Sequence, residues 1–140
     1  MDSVDSTVTI MNSNTGGTVT GSNDTGGLLG EVSDNVTIST STSASTVTGA
    51  NATGGLVGFA GGSTAIDTTF ATGAVTGEVF VGGLVGLLRA SSVVDSGAGG
   101  DVTGVSDVGG LVGQLESGST IDSSAALGAV MADSLSLIHI

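Results

Sequence analysis

The 140-residue chain has no cysteine, no proline, no tryptophan and no tyrosine, and only three phenylalanines. Without cysteine there is no disulfide framework and no thiolate metal site. So few large aromatics leave too little bulk for a conventional globular interior. Cations are as scarce. Arg89 is the sole Lys or Arg against thirteen Asp and Glu, a formal net charge of −12. Nucleic acid and anionic membrane surfaces are repelled by such a chain and are excluded as partners. The acidity suits an extracellular or high-salt setting, and equally the solvated exterior of an ordinary acidic repeat. The most apolar run, residues 79–88, is broken by Gly82-Gly83 and is about half the length of a bilayer-spanning helix, so no membrane insertion is expected.

What is present is Val, Leu, Ile and Ala mixed with Gly, Ser, Thr and Asp, a composition that favours short strands and tight turns over helices. It is also periodic. Gly-Gly-Leu-x-Gly occurs as Gly26-Gly27-Leu28-Leu29-Gly30, Gly54-Gly55-Leu56-Val57-Gly58, Gly82-Gly83-Leu84-Val85-Gly86 and Gly109-Gly110-Leu111-Val112-Gly113, at spacings of 28, 28 and 27. Val-Thr-Gly precedes each copy, from Val19, Val47, Val75 and Val102, and a decayed version starts at Val130. A third ladder runs Ile10, Ile38, Ile66, Val94 and Ile121, which places the one-residue deletion between Val94 and Val102. Three ladders with one period are the signature of a repeat architecture rather than of low complexity.

Each copy holds three strand candidates, in the second copy residues 36–42, 45–48 and 55–59. Period-two alternation sets Val36 and Ile38 on one face, Thr37 and Ser39 on the other. The fold class expected is all-β, a parallel β-solenoid or β-helix of about five coils of roughly 28 residues, in which like side chains pile up at about 4.8 Å. Leu28, Leu56, Leu84 and Leu111 are expected in the core, with Leu29, Val57, Val85 and Val112 pointing outward as a contact stripe. The opposite assignment, these four in the core and the leucines at a corner, has equal weight, because alternation does not say which face is inside. The glycines two residues after each leucine leave room at a narrow corner or for a facing chain.

Both ends read as cut. Residues 1–10 align within a repeat, which makes Met1 an internal or misassigned start, and no signal peptide is recognisable. Residues 135–140, Leu-Ser-Leu-Ile-His-Ile, break the composition and match the translated end of a transposase-based sequencing adapter. They are read as a non-native tail beside a single repeat domain over 1–134, the alternative being a native terminal strand. The only histidine, His139, falls in that tail.

Setting His139 aside leaves no His, Cys or Lys to activate a Ser or Thr nucleophile, so no enzyme is expected. The Gly-rich cores lack the Lys of a phosphate-cradling loop and recur in every copy, which makes the glycines structural. Asp67, Asp95 and Asp122 each follow the Ile ladder and are expected to form one vertical column. Such a column offers oxygens of the kind calcium takes. It is weighed against a plain solvated stripe, since calcium needs about six to eight oxygens. No other cofactor is expected. Thr18-Val19-Thr20 and Thr46-Val47-Thr48 would present a hydroxyl array of the ice-binding type, although exposed strands favour Thr regardless. The variable segments 22–25, 50–53, 78–81 and 105–108 are where recognition could reside on a fixed scaffold, with Phe80 either an exposed aromatic contact or folded back onto the stack. Asn23, Asn35 and Asn51 lie in Asn-x-Thr sequons.

The Gly-Gly-Leu-Val-Gly cores, with Val-Thr-Gly before and Ile-Asp-Ser-Ser or its variants after, resemble GLUG-motif repeats over nearly the whole chain. The resemblance implies a β-helical module of bacterial or archaeal surface proteins, such as haemagglutinin-like adhesins and the non-catalytic regions of immunoglobulin-A-cleaving metallopeptidases. The zinc motif of those peptidases, His-Glu-x-x-His, is absent from the sequence. GLUG copies often carry an aromatic between the Ile strand and the next Gly, and here only Phe70 fills that place. The implied role is an extracellular or cell-surface stalk or adhesin segment. Its partners would be flanking repeats of the same protein and a host or cell-surface glycan or protein. The alternatives are a calcium- or ice-binding solenoid and the accessory arm of a secreted peptidase.

Overall fold

Short β-branched runs separated by Gly, Ser and Asn cannot build long strands, and the chain folds instead into many short ones that turn a corner every few residues. The computed structural model describes residues 7–133; the readings of residues 1–6 and of the tail lie outside the described residues. The first coil holds β1 (Val8–Met11), β2 (Asn14–Thr15), β3 (Thr18–Thr20), β4 (Thr25–Gly26) and β5 (Leu29–Val32). The second holds β6 (Val36–Ser39), β7 (Thr42–Ser43), β8 (Thr46–Thr48), β9 (Thr53–Gly54) and β10 (Val57–Ala60). The third holds β11 (Ala65–Asp67), β12 (Phe70–Ala71), β13 (Val75–Thr76), β14 (Val79–Gly82) and β15 (Val85–Leu88). The fourth holds β16 (Ser92–Val94), β17 (Gly97–Ala98), β18 (Val102–Gly104), β19 (Ser106–Gly109) and β20 (Val112–Leu115). β21 (Thr120–Asp122), β22 (Ala125–Ala126) and β23 (Val130–Ala132) begin a fifth. Equivalent strands pair in parallel, giving five sheets in coil order: three of five strands and two of four. The fold is a parallel β-solenoid with no helix among the described residues.

Each coil thus carries five strands where the sequence suggests three. The Ile strand breaks after its fourth residue, and the variable segment, which is not among the three strand candidates, supplies the fourth strand of the coil. That strand forms because one residue in it faces inward: Thr25, Thr53, Val81 and Val108 are buried. In the second coil the Thr53 hydroxyl donates to the Asn51 carbonyl at 2.8 Å, so a threonine fills the place of an isosteric valine without stranding a polar group. Val81 and Val108 pack with Val75 and Val102 into a small core of their own.

The larger core lies under β6, β10 and their equivalents. Leu56, Leu84 and Leu111 are fully buried at the bend before the strand, and so are Val57, Val85 and Val112 at its start. The outward stripe of Leu29, Val57, Val85 and Val112 is therefore overturned. The bend between Leu and Val resets the alternation, and both residues enter the interior. The motif glycines fix this geometry. A Cβ on Gly86 would stand 2.5 Å from the Thr53 amide nitrogen, and one on Gly83 2.7 Å from the Ala98 Cβ. Backbone meets backbone at both places, the Gly110 carbonyl joining the Ala98 side chain at the second, which pinches the interior into its two cores.

The deletion also moves. Ile66 pairs with Val93, not Val94, and Val93 pairs with Ile121, so the third ladder is spaced 28, 28, 27 and 28. Four residues link β10 to β11 and four link β20 to β21, but only Arg89, Ala90 and Ser91 link β15 to β16. The missing residue is absorbed in a surface corner, where chain length is tolerated, rather than near a strand of the sheet.

At the corner after β1, β6 and their equivalents, Asn12, Thr40, Thr68, Asp95 and Ser123 stack with φ of 51°, 49°, 49°, 46° and 48°. This left-handed conformation is costly for a β-branched threonine. What holds it is the residue that follows. Ser41, Thr69 and Ser96 are buried, and the amides of Ser13, Thr69 and Ser96 donate to the hydroxyls of Ser41, Ser96 and Ser124 one coil on, at 3.1 Å each. The serines in turn donate to carbonyls two residues back, Ser41 to Ser39 at 2.8 Å and Ser96 to Val94 at 2.7 Å. An internal ladder of hydroxyls replaces the carbonyl ladder where the chain turns.

Candidate functional site

The three aspartates expected to share a column do not. Asp67 pairs with Val94, and Val94 with Asp122, so two carboxylates stand two coils apart with a valine between them. Asp95 sits instead at the left-handed corner, in register with Thr68 and Ser123. The physical reason is the misplaced deletion: one residue of slip carries a side chain off its column. At two coil spacings, about 9.6 Å, the two charges repel by only about 0.4 kcal/mol in bulk water. No group of three His, Cys, Asp or Glu suited to a metal ion occurs among the described residues.

The variable segments do not display Phe80. Its backbone is left-handed, φ 52°, as is that of Asp107 one coil on, and it is half-buried in β14. The exposed aromatic is Phe70, 46% exposed on β12. The residue at the resemblance's aromatic position thus faces outward rather than filling its coil. On the outer face of the same sheet Phe70 is in register with Gly97 and Ala125, and Leu127 follows at 87% exposure. Two glycines, Gly97 and Gly99, leave a notch of about 390 Å³ between the phenyl ring and the leucine, with Asp95 at its edge. A Cβ on Gly97 would meet the ring at 3.2 Å, so the ring leans over that glycine.

Phe59, on the outer face of β10, is treated differently. Its ring covers Gly61, where a Cβ would stand 2.8 Å from Cζ. The Arg89 guanidinium lies 5.5 Å from the ring centroid and pairs through Nε with Glu116. That hydrogen-bonded pairing holds the Glu116 carboxyl below its ordinary range and raises Arg89 further. A second acidic feature lies at the turn from β3 to β4, where Asp24 shares an open depression with Glu31 of β5. Partial burial, and then the nearby Glu31 charge, push the Asp24 carboxyl above its usual range.

Thr20, Thr48, Thr76 and Thr103 do form a column on the third sheet, ending at Met131. The companion column keeps its hydroxyls at Thr18 and Thr46, and then Ala74 and Asp101 interrupt it. Of the sequons, Asn23 and Asn51 are joined by an amide hydrogen bond of 3.0 Å between coils. Their threonines, Thr25 and Thr53, are buried.

No family model matches the chain, and no curated protein does. Among solved structures it is similar to one described as a "putative immunoglobulin A1 protease" from Bacteroides ovatus, at 22% identity and a TM-score of 0.68. The match covers 90% of this chain and 49% of that one. The likeness is one of fold. The chain spans about half of the structure it matches.

In this chain the motif glycines other than Gly109 are packing elements, each pressed against nearby backbone or a small side chain. Among the described residues no helix is long and apolar enough to cross a membrane.

Proposed function

We propose that the chain is a non-catalytic structural and adhesive segment of a secreted or cell-surface protein, a stalk of GLUG-type repeats that spaces or presents neighbouring domains. The observation that carries the reading is the unbroken parallel register of all five sheets from β1 to β23. A stack built that way is stiff along one axis and can be lengthened by whole coils without redesign. The test is exposure of an antibody epitope at residues 22–25 on intact cells that make the protein, followed by excision of whole coils from its gene. Surface staining, with export kept and reach or adhesion reduced on excision, is expected. An epitope reached only after lysis overturns the reading.

A second reading is the accessory arm of a secreted peptidase, favoured by the likeness to the Bacteroides ovatus structure. It differs in what excision does: an arm alters cleavage of a large substrate but leaves cell attachment unchanged.

A further inference from the structure

From the contrast between the two outward phenylalanines we infer that the notch at Phe70 receives the guanidinium of an arginine on a partner polypeptide. At Phe59 the chain supplies everything itself: a ring lying over Gly61, an arginine 5.5 Å from its centroid, and the Glu116 carboxylate that holds that arginine. At Phe70 the same parts recur with one missing. The ring leans over Gly97, Asp95 is among the residues that line the notch, and the ring remains half exposed. Arg89 is the only Lys or Arg in these 140 residues and is already engaged, so the cation has to come from outside them.

The dimensions suit that occupant. About 390 Å³ between Phe70 and Leu127 accommodates one long side chain, and the floor of Gly97, Ala98 and Ala125 is smooth and apolar. An arginine's methylenes would lie along the floor toward Leu127, while its planar head stacks on the phenyl ring and donates to Asp95. Lysine matches less well, because a compact, strongly hydrated ammonium neither stacks nor forks. A net charge of −12 draws basic segments toward this surface and repels acidic ones, a second copy of this chain included. The inference gives the adhesive version of the proposed function a partner chemistry and rests on it only to that extent; the assay below can fail while cell-surface exposure stands.

The test is titration of the intact chain with N-acetyl-arginine amide, with the lysine amide, and with the citrulline amide, which keeps the planar head without the charge. Binding is read from backbone amide shifts at Gly97, Ala98 and Gly99. Saturable shifts confined to the notch are expected for arginine, with Kd on the order of tens to a hundred millimolar, as one exposed stacking contact and one ion pair allow. Asp95→Asn and Phe70→Ala each weaken binding by roughly two- to fivefold, and Phe70→Trp retains or tightens it. Both residues lie outside the core, and an unchanged spectrum elsewhere verifies the fold of each variant. Equal binding of arginine and citrulline, or of arginine and lysine, overturns the inference. So do shifts spread over the acidic surface that persist in Asp95→Asn.

Discussion

The buried hydroxyl of Ser96 does three things: it accepts the Thr69 amide and the Thr69 hydroxyl, both at 3.1 Å, and donates to the Val94 carbonyl at 2.7 Å. Ser96→Ala leaves a buried amide without its acceptor and should cost about 1–3 kcal/mol in chemical denaturation. Ser92→Ala, on the outer face of β16, should stay within about 0.5 kcal/mol. Asp24 gives a prediction with a definite sign in pH. Its carboxyl is raised by burial and by Glu31, so the folded chain holds that proton more tightly than the unfolded chain does. Stability from this group therefore falls as pH rises through the raised value, and the penalty is complete above it. Asp24→Asn should raise the melting temperature at neutral pH, and the gain should vanish in acid below the usual carboxylate range. A gain that persists there would assign the effect to packing instead of charge.

At the level of the element, the corner of Arg89, Ala90 and Ser91 is one residue shorter, counted by strand register, than the corners between Val32 and Thr37, Ala60 and Ala65, and Leu115 and Thr120. A glycine inserted after Ala90 restores the length found in the neighbouring coils and should change stability by less than about 1 kcal/mol. The same glycine between Val93 and Val94 shifts half of β16 by one position, exchanges its inner and outer faces, and should abolish the cooperative unfolding transition. This is also where the sequence is hardest to read. Val93-Val94 offers two identical residues for one inward position, and lining up Asp95 with Asp67 and Asp122 selects the wrong one. The period, the parallel stacking and, apart from Val94, the Ile column are legible, because apolar identity repeats where the core demands it; which of Leu and Val faces inward is not, because alternation alone does not name the inner face. The fourth strand of each coil is not, since Thr25 and Thr53 appear polar until their hydroxyls find local carbonyls. Nor is the left-handed corner. Asn, Thr, Asp and Ser occupy it in turn, and in a chain this rich in Ser and Thr the hydroxyl ladder beside it does not stand out. Phe80 and Phe70 show the same limit at the candidate site: composition marks both as rare aromatics, and only the register tells which one faces solvent.

Across the whole sequence thirteen carboxylates stand against one arginine, and although Asp67 and Asp122 lie two coils apart, stacking coils of 27 or 28 residues gathers this net negative charge along one axis, where it repels itself. Salt shortens the range of that repulsion from about 8 Å at physiological strength to about 3 Å at 1 M. The melting temperature should rise with sodium chloride across that interval, and a flat response would mean that the charges are too far apart to matter. The pairing of Arg89 with Glu116 acts against the trend, because added salt weakens it, but it is a single exposed contact. A final consequence belongs to Arg89 as the chain's one tryptic address. It lies at the shortened corner, with its amide bonded to the Ala60 carbonyl at 2.8 Å, so cleavage requires that corner to peel away first. Trypsin then becomes a gauge of local opening: a single scission, slow in the folded state, whose rate reports the free energy of lifting one corner. The two halves should still travel together afterwards, because the cut severs the thread between two coils and leaves intact the lateral bonds that bind each coil to the next.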